Sequence, residues 1–240
     1  MSEKPSLQPK TFRFYDLIMA LFVTVLLTSN IASSAKIIDW GFSLFGLRLS
    51  FDAGTILFPI SYIFGDVLTE VYGFKRSRRV IWAGFGALAL SALALGVVRA
   101  LPGEAAWQAY AGDAAFSAIL GGMSSGSIVI ASLLAYFLGS YSNSVVMAIM
   151  KVLTHGRWLW MRTIGSTLVG EAVDTVVFVA IATLTGVFPV AAFLSLTVTN
   201  YVFKVVVEAL FTPVTYWVVN TLKKVEQEDF YDRGTRFTPF

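Results

Sequence analysis

Asp66 and Glu70, four residues apart, and Glu171 and Asp174, three apart, are two carboxylate pairs, each confined by its spacing to one face of a helix. Lys204 and Glu208 repeat the four-residue spacing, which lets them neutralise each other as a purely structural pair. All six lie in otherwise apolar stretches, where one ionised side chain at bilayer depth costs ~2.5–3.5 kcal/mol or more. Four acids on two helices against one mid-span lysine leave an excess of negative charge. Lys36 and Arg162, near helix ends, can reach inward and offset part of it. The remainder has to be wet, protonated or compensated by a ligand, and a protonated carboxyl is what a proton-coupled carrier uses. Two carboxylates on one face also suit an amidine- or guanidine-like edge of N–H donors. Asn30 and Asn200 add donors and acceptors, and Phe58, Tyr62, Phe64, Tyr72, Phe178, Tyr201 and Phe203 add flat apolar surface. A polar heterocycle, stacked on a ring and held at its edge by acids, fits this mixture better than a sugar or an anion. Asp16 at a helix start, Asp39 and Asp52 at an outer loop and His155 in a basic loop read as structural or solvated.

The elements that must position these groups are long and apolar. Hydrophobic residues make up 56% of the 240-residue chain and charged residues 14%, against ~25% charged in a typical soluble domain. The mean hydropathy of +0.72 points to lipid as the solvent. The small net charge of +3 argues against a nucleic-acid partner. With no cysteine, thiolate metal sites, Fe–S clusters, disulfides and cysteine nucleophiles are excluded, and one histidine leaves little for a metal or catalytic centre, so no metal and no cofactor are expected.

An all-α membrane protein with six transmembrane helices is predicted, over Tyr15–Ile37, Gly54–Tyr72, Val80–Leu101, Ser124–Met150, Thr163–Val187 and Ala191–Leu222. Residues 1–14 form an N-terminal arm, 15–222 the six-helix transmembrane domain and 223–240 a tail, of which Glu226–Phe240 is polar and expected to fray. Fourteen basic residues fall in the arm, the loops after spans two and four, and the tail, against Lys36, Arg48 and Arg99 on the opposite side, so both termini are expected in the cytoplasm. Ala32-Ser33-Ser34-Ala35 mimics a signal cleavage site, but the first stretch reads as an uncleaved anchor. Pro102–Gly122 reads equally as an interfacial helix or a loop. Pro59 and Pro213 are candidate kinks. Gly65-Asp66-Val67-Leu68-Thr69-Glu70 and Gly170-Glu171-Ala172-Val173-Asp174-Thr175 echo each other, each in the second helix of a three-helix block, as in a 3+3 inverted repeat.

The run Phe58-Pro59-Ile60-Ser61-Tyr62-Ile63-Phe64-Gly65-Asp66-Val67-Leu68-Thr69-Glu70-Val71-Tyr72-Gly73 resembles the signature of the bacterial queuosine precursor transporters, also called the vitamin uptake transporter family. Arg162, Ser166-Thr167, Gly170-Glu171, Asp174-Thr175 and Phe178 resemble a second signature, and Asn30, Lys36, Asn200, Tyr201 and Lys204 resemble polar positions of its first and last helices. The resemblance, over residues 15–222, implies a multi-pass inner-membrane secondary carrier, not an enzyme, importing deazaguanine bases such as the cyano and aminomethyl forms. It implies no ATPase partner; separately, small-residue helix faces permit a homodimer. The substrate-binding residues expected are Asn30, Asp66, Glu70, Glu171, Asp174, Asn200 and Lys204. In this reading Glu70 with Asp66, or Glu171 with Asp174, grip the N–H edge, the asparagines read a carbonyl or ring nitrogen, and Lys204 neutralises a carboxylate in the empty state. The rivals are the substrate-capture subunit of an ATP-driven vitamin importer, an intramembrane protease hinted at by Phe64-Gly65-Asp66, and a channel.

Overall fold

A computed structural model describes residues 11–44 and 47–240. Among the described residues eight α-helices follow one another: α1 (Tyr15–Ala35), α2 (Phe58–Tyr72), α3 (Phe74–Ala100), α4 (Ala105–Tyr110), α5 (Gly112–Ser124), α6 (Gly126–Leu153), α7 (Leu159–Leu184) and α8 (Phe193–Glu226). Among the described residues, five helical stretches are long and apolar enough to cross a membrane: α1, α3, the run Gly112–Leu153, α7 and Leu196–Glu226 of α8. The prediction of a bundle of apolar helices therefore holds. Leu90, Leu93, Leu134, Leu210 and Trp217 point outward from it, as side chains facing lipid do.

The span read from Gly54 to Tyr72 is shorter than expected. Residues Ala53–Ile56 make a single 3-10 turn and α2 has only 15 residues, roughly 22 Å at ~1.5 Å per residue. Pro59 occupies the first turn of α2, where its missing N–H is harmless, so it starts the helix and does not kink it. Pro213 lies inside the uninterrupted α8. The brevity of α2 is tolerable because protein surrounds it: every residue from Asp66 to Phe74 is buried. Val67, Leu68, Val71 and Tyr72 meet Ile18, Phe22 and Leu26 of α1, Val80 of α3, Met147 of α6 and Val219 of α8 in the main core. A hydroxyl triangle of Thr69, Ser77 and Ser144, with oxygens 3.0–3.1 Å apart, ties α2 to α3 and α6.

Between α1 and α2 an antiparallel hairpin, β1 (Ile37–Leu44) and β2 (Leu47–Asp52), pairs Ile37 with Asp52 and Leu44 with Leu47. The alternation Leu47-Arg48-Leu49-Ser50-Phe51-Asp52 is the period-two pattern that announces it. Of the segment Pro102–Gly122, α4 is capped by Glu104, whose carboxylate accepts the Trp107 N–H at 2.8 Å. Backbone N–H groups of Ala106 and Trp107 hold that carboxyl below the usual range. The rest of the segment is helical in α5, which packs on α1 and α3 and breaks from α6 at Ser125.

The tail does not fray. The starts of α1 and α3 have no side-chain cap of their own, and the chain end supplies both. Glu226 accepts the N–H groups of Arg13 and Phe14 at 3.0 and 2.7 Å, and Asp232 accepts that of Phe74 at 3.0 Å. Orphan N–H groups at a helix start favour an anion there. The Phe230 N–H donates to the Val71 carbonyl, and the Trp82 indole N–H to that of Pro239 at 2.7 Å, beneath the Phe240 ring. Two glycines make room for the strap. Gly73, at φ +83°, lies where a Cβ would enter the Phe230 ring, and Gly156, at φ +76°, lies under the Tyr231 hydroxyl. Polarity alone suggests a solvated end; the unmet helix starts keep it docked.

Candidate functional site

The predicted charges separate into two clusters. At the end of the bundle that carries the tail, Arg162 of α7 holds Glu70 of α2 by two parallel bonds, Nε to Oε2 and Nη2 to Oε1, each 2.7 Å. Its remaining nitrogen Nη1 donates to the Arg157 carbonyl at 2.7 Å. Lys223 of α8 donates to Glu70 Oε1 at 2.5 Å. Lys151 of α6 stands 3.4 Å from the same oxygen and donates to the Glu70 carbonyl and to Asp229 Oδ1, both at 2.5 Å. Asp229 also pairs with Lys223 at 2.8 Å. Partial burial opposes the Asp229 charge, but its bonds to Lys151 and Lys223 outweigh this and hold the carboxyl below the usual range. Glu70 and Arg162 are 0% and 1% exposed. The bidentate geometry is the strongest arginine–carboxylate form, and here it joins α2, α6, α7, α8 and the tail.

Deeper in the bundle, Lys204 of α8 stands between the two acids of α7, 2.9 Å from Glu171 Oε2 and 2.5 Å from Asp174 Oδ2. Lys204 therefore does not neutralise Glu208, contrary to the spacing argument, because α7 presents two carboxylates to the same ammonium. The Lys204 and Asp174 side chains keep 14% and 25% of their surface.

Asp66 lies one turn from Glu70 but makes different contacts. Its Oδ1 accepts a hydrogen bond from Asn143 Nδ2 of α6 at 3.2 Å. Its Oδ2, the Asn143 Oδ1, the Thr175 hydroxyl and both oxygens of Glu208 have no hydrogen-bond partner among the described residues. Glu208 is close enough to Asp66 and Glu171 to feel both charges. The α6–α7 contact that brings these groups together is built on glycine. A Cβ on Gly139 would stand 2.7 Å from the Asp174 Cβ, and one on Gly170 would stand 2.7 Å from the Asn143 Cβ. Small residues let membrane helices approach this closely.

The two asparagines are not drawn into either cluster. Asn30 donates to the Leu26 carbonyl at 2.8 Å and lines a small cavity with Leu88, Ala92, Gly122 and Ser132. Asn200 is half-buried on α8, one turn before Lys204. An apolar groove of about 160 Å³ runs between α7 and α8, bounded by Thr175, Val176, Val198 and Tyr201. The Phe58 and Tyr62 rings lie outside the described side chains. Sequence reasoning singled out the acids but passed over Asn143, a lone amide in an apolar helix. It also set Glu208 aside as a structural partner of Lys204.

An apolar coat around buried ion pairs that join four helices defines a polytopic integral membrane protein. The family described as "Putative vitamin uptake transporter" matches residues 52–218, more than two thirds of the chain. The chain belongs to that family, which is one of transporters and not of enzymes. It is 30% identical over 175 residues to a protein of Bacillus subtilis (strain 168) named "Probable queuosine precursor transporter", covering 72% of each chain. It is 26% identical over 192 residues to the "Queuosine precursor transporter" of Escherichia coli (strain K12), covering 79% of this chain and 80% of the relative. No solved structure matches it.

Proposed function

We propose that the protein is a secondary carrier of the bacterial inner membrane that imports deazaguanine precursors of queuosine, held by Glu171 and Asp174. The observation that carries this reading is the Lys204 triad, where one ammonium bridges two carboxylates, the buried Glu171 and the partly exposed Asp174. In the empty carrier Lys204 bridges both and neutralises one of the two charges. A deazaguanine offers its ring N–H and exocyclic amine side by side, the donor pair that a carboxylate accepts through two oxygens. The aminomethyl form adds an ammonium that replaces Lys204 at the second acid. Asn200, one turn away, and Asn30 are the amides available for the base's carbonyl or ring nitrogen. Glu70 has its oxygens engaged by Arg162 and Lys223, which favours the α7 pair as the grip.

The topology proposed is six crossings with both termini cytoplasmic. The start of α1 and the end of α8 touch through Glu226, so the chain crosses an even number of times. The five long helices need α2 as the sixth. The basic residues around Glu70 and the tail lie at that same end, in accord with the positive-inside rule. Helices α2 and α7, which carry the acids, are each second in a run of three (α1–α3 and α6–α8), the arrangement of a 3+3 inverted repeat.

The test is uptake of labelled cyano- and aminomethyl-deazaguanine into proteoliposomes holding this protein alone. Wild-type protein takes up the base with no ATPase present, and Glu171→Gln and Asp174→Asn lower uptake at least tenfold while remaining monodisperse. A folded wild-type protein that binds the base but moves it only with an added ATPase makes it a capture subunit. Variants that transport normally remove the α7 acids from the site.

A further inference from the structure

We infer that Asp66 and Glu208 form a proton-binding site, separate from the Lys204 triad, through which transport is coupled to protons. This rests on the carrier reading for the word transport, but the proton site itself stands on its own geometry. Asp66 and Glu208 are 0% and 1% exposed, on facing helices α2 and α8. An ionised carboxylate in such a place needs donors, because its desolvation costs several kcal/mol unless hydrogen bonds and counter-charges replace water. The surroundings supply acceptors instead. Among the described residues the one hydrogen bond made to these two carboxyls' oxygens is that of Asn143 Nδ2, which serves Asp66 Oδ1. Asp66 Oδ2, both Glu208 oxygens and Asn143 Oδ1 are all unpaired acceptors. A proton converts one of these acceptors into an O–H donor and removes a buried charge in the same step. It is the smallest ligand that resolves the set, and it can reach a place too enclosed for a base.

The charged groups on every neighbouring helix leave this vacancy unfilled. On α7, Arg162 is committed to Glu70 and to the Arg157 carbonyl. On α8, Lys204 stands one turn from Glu208 but is engaged by Glu171 and Asp174. On α2, Glu70 adds another negative charge close to Asp66. Helix α6 carries no charge before Lys151, which is bound to Asp229 and the Glu70 carbonyl. Helix α1 has none between Asp16 and Lys36, and α3 none between Arg79 and Arg99. Among the described residues no cluster of three or more acidic or histidine side chains is arranged to hold a metal ion. Because Glu208 feels the charge of Glu171, any ligand that alters the triad alters the proton's affinity. By linkage the proton then alters the ligand's affinity by the same factor.

Two measurements test this, and they fail independently. Infrared difference spectra of the empty protein at neutral pH should show the carbonyl stretch of a protonated carboxyl, lost in Glu208→Gln or in Asp66→Asn. A band that persists in both variants, or is absent from the wild type, overturns the proton site whatever the protein transports. In proteoliposomes, accumulation of labelled cyano-deazaguanine should follow an imposed pH gradient and not a sodium gradient, and should fall at least tenfold in Glu208→Gln. Accumulation driven by sodium, or a Glu208→Gln protein that still follows the pH gradient, overturns the coupling. If the wild type moves no deazaguanine, the carrier reading fails while the infrared result still decides the proton site.

Discussion

Removing Glu70 or Arg162 separates a structural lock from a substrate grip. Arg162→Ala deletes two bonds of 2.7 Å to a fully buried carboxylate. Breaking a buried pair from one side typically costs about 3–5 kcal/mol. Lys223 at 2.5 Å and Lys151 at 3.4 Å still face Glu70, so the lower end, ~3 kcal/mol, is expected. Glu70→Ala is worse. It leaves Arg162, Lys151 and Lys223 close together with only Asp229, itself 44% exposed, to offset them; the upper end, ~5 kcal/mol, applies. For a chain of this length ~1 kcal/mol moves the melting temperature by roughly 2–4 °C. The expected falls are thus about 6–12 °C for Arg162→Ala and about 10–20 °C for Glu70→Ala. The double variant should melt well above the additive expectation, because the second removal deletes the charge that the first stranded, with a coupling of up to about 3 kcal/mol. Thermal melting of detergent-solubilised protein, followed by size-exclusion chromatography, reads all three. The same assay with added base separates the roles, since a ligand raises the melting temperature only where it binds. A Glu70→Gln protein that melts like wild type but no longer gains stability from the base would show that Glu70 holds substrate, and the lock argument would be wrong.

Three further outcomes follow from single contacts. Gly139→Ala puts a methyl against the Asp174 Cβ; the α6–α7 contact should open at ~1–3 kcal/mol, and affinity for the base should fall with it, both measurable by melting with and without ligand. Lys204→Met leaves Glu171 and Asp174 facing each other with no cation between them, and vesicle uptake should drop at least tenfold; near-normal uptake would count against the triad. Asp229→Asn should loosen the tail by less than about 1 kcal/mol, as fits a partly exposed pair. The sign of its pH dependence is fixed. The folded carboxyl lies below its unfolded value near ~3.9, so the stabilisation is complete above that value and is lost as pH falls through the folded one. Protection of residues 227–240 from protease should therefore differ between wild type and Asp229→Asn at neutral pH and converge in acid.

Which acids would lie at depth was legible without coordinates, because charge inside an apolar run is visible one residue at a time. Their partners were not. The i,i+4 spacing of Lys204 and Glu208 describes one isolated helix, whereas α7, packed against α8, brings two carboxylates to the same lysine. The same limit applies to Asp66 and Glu70. Their spacing puts them on one face, but one turn along a central helix is enough to reach different neighbours, three cations for Glu70 and an amide for Asp66.

The sequence by itself determined that this chain lives in lipid, which family it resembles, and that its long helices carry acids that need a reason to be there. Composition and local periodicity depend only on neighbours along the chain, and those are written in order. The tertiary structure alone decided that α2 is a short helix enclosed by protein, that the polar tail caps the open starts of α1 and α3, and that Glu208 is left without a counter-ion among the described residues. Each of these depends on which groups from distant parts of the chain compete for the same donor, and that competition exists only once the helices are packed.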